Sequence, residues 1–590
     1  MKGIFHRHPE MTAKRTTAKS QTPRASLVLG SLFLVAALSF PTANGFSNPS
    51  SRVSAFGVRD NAIPKHNTYS KRMGGTRSSG AEGLNMVGNF FQNIMNGINN
   101  DEGSSGLGGG GDDVSLCVIG GGVSGLTAAI TAAEAAGGKN SDTKVVLLES
   151  SPTLGGRVQS DMTEDGYVLD RGFAVFIEEY PAAKALLDYN DLSLGKFLPG
   201  ALVKTKNSDE LARVADPLRQ PADIFVALLA PVGTLVDKIK VISLLATVFS
   251  KSVNQLFEEK ETDTLTCLKN RYGFSDKFID EFFTPFLEGI YLAPLNEQSS
   301  RMFHFVFKMF SEGAATLPKG GMGAVTDQLM KRAKEAGVEI YTNQPVSKLT
   351  QQQTKGEKGE NVFVIQSNKS TLRAKSVVVA TDGVVAQTIL SKIRGFESLG
   401  DLPVQPQRSV GCLYYGFDTE VPVKDPILIL NGMGQDRNTV EFPMNNCCFP
   451  SNVNEGYAPE GKGLCSVTVL KTVMDQYYAN GKSNMSSDNK LDKAVRNQLA
   501  TWFPEQDTDI SQNWVLKGIY NIPNAQPGQL DGPFPANVSG GRDCSTFREQ
   551  TLPEGLFMCG DHMATATLNG ALESGLNAGK KAAAKLLIEQ

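Results

Sequence analysis

The stretch SLCVIGGGVSGLTAAITAAEAAGG (residues 115–138), followed by VVLLE at 145–149, decides the fold. Leu116–Ile119 is an apolar run of strand length. Gly120, Gly122 and Gly125 follow it at G-x-G-x-x-G spacing. Leu126–Ala136, rich in Ala, Leu and Ile, predicts a helix, and Val145–Leu148 predicts a second buried strand ending in Glu149. Strand, glycine turn, helix, strand and terminal acid together make a dinucleotide-binding βαβ unit in an α/β fold.

Each part has a physical job. Gly120 permits the tight turn out of the strand. Gly122 lets the backbone approach a pyrophosphate, and Gly125 lets the helix pack close to the strand. Val123 and Ser124 open the helix, whose N-terminal N–H groups and partial positive charge suit phosphate. The Glu149 carboxylate can accept from ribose hydroxyls and would repel a 2′-phosphate, which argues against NADP. The glycines alone do not choose between NAD and FAD.

With 590 residues the chain has room for several domains. A formal net charge of −3 gives no basic surface for nucleic acid. The eight cysteines lack metal-ligand spacing, and adjacent Cys447 and Cys448 suit neither zinc nor an easy disulfide, so buried thiols in a reducing compartment are expected. Of the histidines only His304 and His562 fall in the expected folded region, which excludes a histidine-rich metal centre.

The N-terminus has targeting composition. Residues 1–24 carry Lys2, Arg7, Lys14, Arg15, Lys19 and Arg24 against Glu10, and the apolar stretch Ala25–Phe40 is short for a membrane span. Ala43 and Gly45 suit cleavage before Phe46, giving a signal peptide over 1–45. The segment beyond is rich in Ser, Asn and basic residues and poor in acids. Signal peptide followed by transit peptide resembles the bipartite presequence of algae with secondary plastids, with Ser54-Ala55-Phe56 as a second candidate motif. Secretion and an uncleaved anchor are the alternatives. Phe90, Phe91, Ile94, Met95 and Ile98 have helical spacing that suits a small docking or membrane-facing helix, or a weakly ordered tail. The glycine-rich residues 103–111 read as a linker, and transit peptide and linker span 46–112.

After Glu149 come Gly155-Gly156-Arg157 and then Gly166-Tyr167-Val168-Leu169-Asp170-Arg171-Gly172. Further on are Leu317-Pro318-Lys319-Gly320-Gly321-Met322, Gly337–Ile340 with Val346, Val377–Thr381, Gly555–Asp561 and Asn569–Gly575. This set resembles the flavin-dependent amine oxidase superfamily, which includes phytoene desaturases, carotenoid isomerases and protoporphyrinogen oxidases. The resemblance implies non-covalent FAD in a Rossmann-type, GR2-like domain. In it Gly155, Gly156 and Arg157 lie along the diphosphate and ribityl chain, and Val346 lies beside the adenine. Ala380 and Thr381 lie near the diphosphate. Gly560 and Asp561 reach the ribityl, and a helix starting at Asn569, Gly570 and Ala571 aims at the flavin pyrimidine. The physics agrees: a guanidinium forks onto phosphate, and a helix N-terminus stabilises charge on a reduced ring.

The FAD-binding domain is then expected in three pieces, 113–180, 316–404 and 541–590. An inserted α+β substrate domain fills 181–315 and 405–540. Ile224–Val232 and Val241–Phe249, separated by Asp237, Lys238 and Lys240, read as helices that could line a lipophilic tunnel, contact a membrane, or form ordinary core. The aromatic run Arg301–Phe310 could line a polyene cavity or be core, with His304 a satisfied core histidine.

The resemblance leaves the hard chemistry to the flavin. His562, next to Asp561, is a candidate for tuning flavin charge or shuttling a proton, or for a structural bond. Lys319 is a candidate to face the isoalloxazine, or to be an exposed loop residue. Residues 561–575 hold no Tyr, Trp or Phe, which lowers an amine-oxidase reading. The expectation is a plastid FAD oxidoreductase acting on a small lipophilic carotenoid or isoprenoid, with its electron acceptor unassigned. A redox-neutral isomerase, an amine or porphyrinogen oxidase and a non-catalytic flavoprotein are the alternatives.

Overall fold

The computed structural model describes residues 112–215, 230–353, 361–478, 484–529 and 552–588. The expected signal peptide, the transit peptide and linker up to residue 111, the helix at 86–98, and residues 541–551 lie outside the described residues.

Strand β1 (Asp112–Ile119), helix α1 (Val123–Ala135) and strand β2 (Val145–Leu148) form the opening βαβ unit, with the strands parallel. Strands β3 (Gly200–Thr205) and β4 (Leu211–Ala215) follow, then helices α2 (Leu235–Ser250), α3 (Thr284–Tyr291) and α4 (Ser300–Glu312). Next come α5 (Gly323–Glu335), β5 (Glu339–Tyr341), β6 (Val346–Gln353), β7 (Asn361–Ser367) and β8 (Thr371–Val379). The remainder holds β9 (Gln407–Phe417), β10 (Leu428–Gly432), β11 (Met444–Cys448), β12 (Gly463–Leu470), β13 (Val515–Pro527), β14 (Leu556–Met558) and α6 (Leu568–Ile588).

Two seven-stranded sheets organise these elements. The first runs β5-β2-β1-β8-β7-β6, with β14 also paired to β8. Its β5, β2, β1, β8 and β14 are parallel, and β6 and β7 add antiparallel strands. Leu116, Leu147 and Val378 pack on one face with α1 and α6, while Cys117, Val146 and Val377 pack on the other with the helix Gly383–Leu390. Burial on both faces is why these strands are continuous apolar runs. The second sheet runs β13-β9-β12-β11-β10-β3-β4, mostly antiparallel. One face packs Leu413, Tyr415 and Val467 against Leu491, Val495 and Trp502 of the helix Met485–Trp502. The other packs Cys412, Tyr414 and Leu464 against Tyr167, Leu169 and Leu317.

Helix α1 begins at Val123, not at Leu126, because its N-cap is Gly122 and Gly125 lies inside the first turn. The C-terminal helix packs against it at two glycines. A Cβ at Gly575 would sit 2.3 Å from the Ser124 carbonyl oxygen, and one at Gly579 would sit 2.6 Å from that of Ala128. The end of the chain is thereby fitted onto its first helix.

The reading of Asp237, Lys238 and Lys240 as a break between two helices is corrected. They sit in the first turns of α2. Thr234 and Asp237 form a capping box, in which each side chain accepts from the other's backbone N–H. The Asp237 carboxylate also accepts from the Ser275 N–H and hydroxyl. Such a cap contributes about 1 kcal/mol. The helix expected over Ile224–Val232 falls largely outside the described residues, and Ala230–Gly233 are bends.

The aromatic run Arg301–Phe310 is mostly core. Met302, Phe303, Phe305 and Val306 of α4 are buried, and Phe303 packs on Phe307 with ring centroids 4.7 Å apart. Phe283 meets both rings. His304 is only half satisfied inside this layer: its Nε2 lies 2.8 Å from the Tyr272 hydroxyl, while its Nδ1 makes no hydrogen bond and lies 3.5 Å from the Glu259 carboxylate. Seven cysteines are described, and all are buried and free, Cys447 and Cys448 included.

Candidate functional site

The glycines of the opening motif behave differently from one another. Gly120 has φ +110°, and a Cβ there would sit 2.7 Å from the Ala380 carbonyl oxygen. A Cβ at Gly125 would sit 1.9 Å from the Gly120 oxygen, so that glycine is a packing requirement. Gly122 has an ordinary φ of −71°, and a Cβ there would meet nothing within 4 Å. The Gly155–Gly156 turn lies alongside it: Gly155 N–H donates to the Gly121 oxygen at 2.9 Å, and a Cβ at Gly156 would meet only the Gly122 Cα, at 3.6 Å. The open space beside Gly122 is therefore bounded by backbone. Helix α1 has no side-chain cap at this end, so Val123 and Ser124 open a helix whose first-turn N–H groups suit an anion.

Glu149 stands at the end of β2, 8% exposed. Its Oε2 accepts from the Gly121 N–H at 2.6 Å; its Oε1 accepts from the Ser151 N–H at 2.7 Å and the Ser150 hydroxyl at 3.1 Å. A carboxylate has about four lone-pair sites, so one is left for a ribose hydroxyl. Tyr341, Asn343 and Gln344 exchange backbone hydrogen bonds with Glu149 and Ser151, which sets Val346, at the start of β6, just beyond this acid.

Arg157 and Asp561 are assembled from opposite ends of the chain. The Arg157 guanidinium donates to both Asp561 oxygens, each at 2.8 Å, and to the Ala525 oxygen at 3.2 Å. The fork expected to lie on phosphate is thus closed on a carboxylate. Burial works to raise the Asp561 pKa, but the adjacent Arg157 charge and its hydrogen bonds outweigh it and hold the carboxyl below its usual range. Gly560 is fixed by Ser574, whose Oγ lies 2.9 Å from both its N and its O. Ala380 and Thr381 follow β8; Ala380 N–H donates to the Ile119 oxygen, which holds that turn beside β1.

Three further candidates are placed by the structure. At the start of α6 the Thr567 hydroxyl accepts from the Gly570 N–H, and a Cβ at Gly570 would sit 2.0 Å from the Thr565 oxygen. Asn569 is buried and its Oδ1 accepts from the Ala182 N–H at 2.8 Å, with Ala571 buried next to it. These residues anchor the helix. His562 is fully buried, its ring set against Gly560 and Gly383, and burial pushes its pKa down to about 4. It presents no surface to a ligand and is neutral at pH 7. Lys319 is exposed and its Nζ pairs with the Glu455 carboxylate at 3.1 Å.

Sequence reasoning passed over Asp170 as a site residue. Its buried carboxylate accepts from the Ser160 hydroxyl at 2.5 Å, the Met322 N–H at 2.8 Å and the Tyr457 hydroxyl at 2.7 Å. It ties the strand end after Gly166 to the Gly320–Met322 turn and to the helical turn Glu455–Tyr457, and the Tyr414 hydroxyl of β9 donates to its backbone oxygen. Its signal was the Leu169-Asp170-Arg171-Gly172 motif, in which one acid ends an apolar run.

The two buried histidines make a pH prediction. Burial, the largest cause in both cases, lowers His304 and His562 from 6.5 to about 4. Between those values the unfolded chain binds protons that the native state refuses, so stability falls as pH drops from 6.5 to 4. The full effect is about 3 kcal/mol per histidine. Glu288, which burial raises to about 7, opposes part of this slope above pH 4.5. Chemical denaturation at a series of pH values should show a flatter profile for His304→Gln than for wild type; parallel profiles would reject the assignment.

The space beside Gly122, the uncapped α1 terminus, the spare site on Glu149 and the Arg157–Asp561 clasp fit a dinucleotide. Fold and site define an α/β dinucleotide-binding protein. The flavin containing amine oxidoreductase family matches residues 123–586, and the chain belongs to it. A coproporphyrinogen III oxidase of Bacillus subtilis (strain 168) is 24% identical over 387 residues, 60% of this chain and 77% of that protein. A carotenoid phi-ring synthase of Streptomyces griseus is 29% identical over 215 residues; the match spans 34% of this chain and 40% of the relative. Among solved structures, a protein assigned as a protoporphyrinogen oxidase from Exiguobacterium sp. 255-15 superposes with TM-score 0.58 at 17% identity, covering 82% of this chain and 100% of that one.

Proposed function

We propose that the chain is a plastid oxidoreductase that binds FAD non-covalently and oxidises a lipophilic substrate of the carotenoid or isoprenoid class. The observation that carries the substrate class is the ring-rich helical layer. Phe282, Phe286, Phe307 and Phe310 are only partly buried, with neighbouring centroids 5.6–6.1 Å apart. Such a surface suits a long polyene better than a charged amine. The lack of an aromatic residue in 561–575 supports the same choice. Phe46 behind small residues, followed by acid-poor sequence, supports plastid import.

Bound FAD supplies a two-electron acceptor for a hydride. The chain's own residues hold and orient it. Gly122 and Gly156 admit the diphosphate to the α1 terminus, and Glu149 takes a ribose hydroxyl. Arg157 would offer its charge to the bound cofactor, with Asp561 holding the guanidinium in plane. The Bacillus subtilis relative favours a second reading, a porphyrinogen substrate.

Anaerobic titration of the purified flavoprotein tests these readings. Carotenoids or their acyclic precursors should bleach the flavin absorbance. Bleaching by a porphyrinogen alone selects the second reading, and bleaching by amines alone defeats both. Turnover of a carotenoid without net bleaching would mark a redox-neutral isomerase.

A further inference from the structure

Helix α2 has an outer face that the described residues do not cover. Leu235 is 60% exposed, Val236 57%, Ile239 53% and Phe249 45%. Leu235, Ile239, Ile242, Ala246 and Phe249 fall at steps of four and three, one stripe of a helix about 24 Å long. Leu244, Leu245 and Val248 face the protein interior. The charges are arranged with equal bias. Asp237, the helix's single acid, is fully buried in its cap, while Lys238 and Lys240 flank the stripe and Lys251 follows it. Lys238 donates to the Ala230 oxygen and Lys240 to the Gly273 oxygen, while Lys251 is paired with the Glu259 carboxylate, so the charge bias of the face rests on Lys238 and Lys240. No helix among the described residues is long and apolar enough to cross a membrane.

We propose that α2 docks the protein, in plane, on an anionic lipid bilayer. An apolar stripe flanked by lysines and stripped of exposed acid matches a lipid surface in both polarity and charge. A second copy fits less well: a two-fold axis on this stripe would set Lys238 and Lys240 against themselves. The inference stands whichever substrate is oxidised, since it concerns a face remote in sequence from the cofactor motifs.

The test reads the face itself, because the apolar stretch near the N-terminus could bind lipid independently. The chain has two tryptophans, Trp502 and Trp514, each 3% exposed. A Phe249→Trp variant of the full chain therefore places a new reporter on the stripe. The probe is a vesicle of phosphatidylcholine and phosphatidylglycerol with brominated acyl chains. The expected result is a blue shift and about twofold quenching of the added fluorescence, weaker on phosphatidylcholine alone. Adding Leu235→Ser and Ile239→Ser should abolish the quenching and leave the flavin content unchanged. The proposal is overturned if the reporter stays water-exposed while the protein sits on vesicles, or if nothing binds. It is equally overturned if the reporter is already buried in buffer and vesicles change nothing; the face is then covered by this chain or a second copy, which the elution volume tells apart.

Discussion

Replacing Gly122 by valine is expected to leave the fold intact and strip it of flavin. The backbone at Gly122 has a conformation open to any residue, and its missing Cβ points into space with no protein atom within 4 Å. The valine Cβ meets no clash there, so the apoprotein loses only the preference for glycine at the helix N-cap, about 1 kcal/mol, and its Tm should move by no more than about 4 °C. The same side chain fills the space that the diphosphate must enter at the α1 terminus. Affinity for FAD should fall by at least about 100-fold, roughly 3 kcal/mol, as for an overpacked site that also loses its anion contacts. Gly125→Ala makes the contrast. Its Cβ would lie 1.9 Å from a backbone oxygen, so the apoprotein itself should lose about 1–3 kcal/mol. Flavin-to-protein ratios and thermal melts of both variants decide the matter; a Gly122→Val protein that keeps its full flavin complement would refute the cradle.

The second large effect is at the clasp. Arg157→Ala and Asp561→Ala should each weaken FAD binding by about 100-fold, and the double variant should be little worse than either single one. The reason is that the two side chains act as one unit. Removing Arg157 leaves the buried Asp561 carboxylate uncompensated and facing the nucleotide. Removing Asp561 frees the guanidinium from its plane. The Arg157 side chain is 37% exposed, so solvent screens part of the charge, and about 2–3 kcal/mol is the ceiling. Arg157→Lys keeps the charge without the fork and should recover only a fraction. Strictly additive losses, measured by flavin titration, would show that the pair is not coupled.

Much of the nucleotide half was legible because its constraints are local. The glycine spacing, the strand Val145–Leu148 and Glu149 are dictated by neighbours within about 35 residues, and the pattern states them directly. Residues whose role is set across the chain were harder. That Asn569 also anchors the helix start, through its Oδ1 to the Ala182 N–H, shows only once residues 387 apart are brought together. His562 looks reactive beside Asp561 until Gly383 and Gly560 close over its ring. Asp170 reads as a strand end until Tyr457, far along the sequence, donates to it. The capping box at Thr234 was readable, yet the lysines around it suggested a gap between helices. The acid Asp237 in the first turn suits the positive end of the helix dipole, and Lys238 and Lys240 fall after it.

The first sheet also sets an order in time. It opens with β1 at residue 112 but receives its last strand, β14, only at 556–558, and α1 is not covered until α6 has emerged. A chain leaving the ribosome presents its glycine turn long before the aspartate that closes it. The Arg157–Asp561 clasp can therefore close only once residue 561 is available. Contacts of such long sequence separation make that final closure slow relative to the local helices.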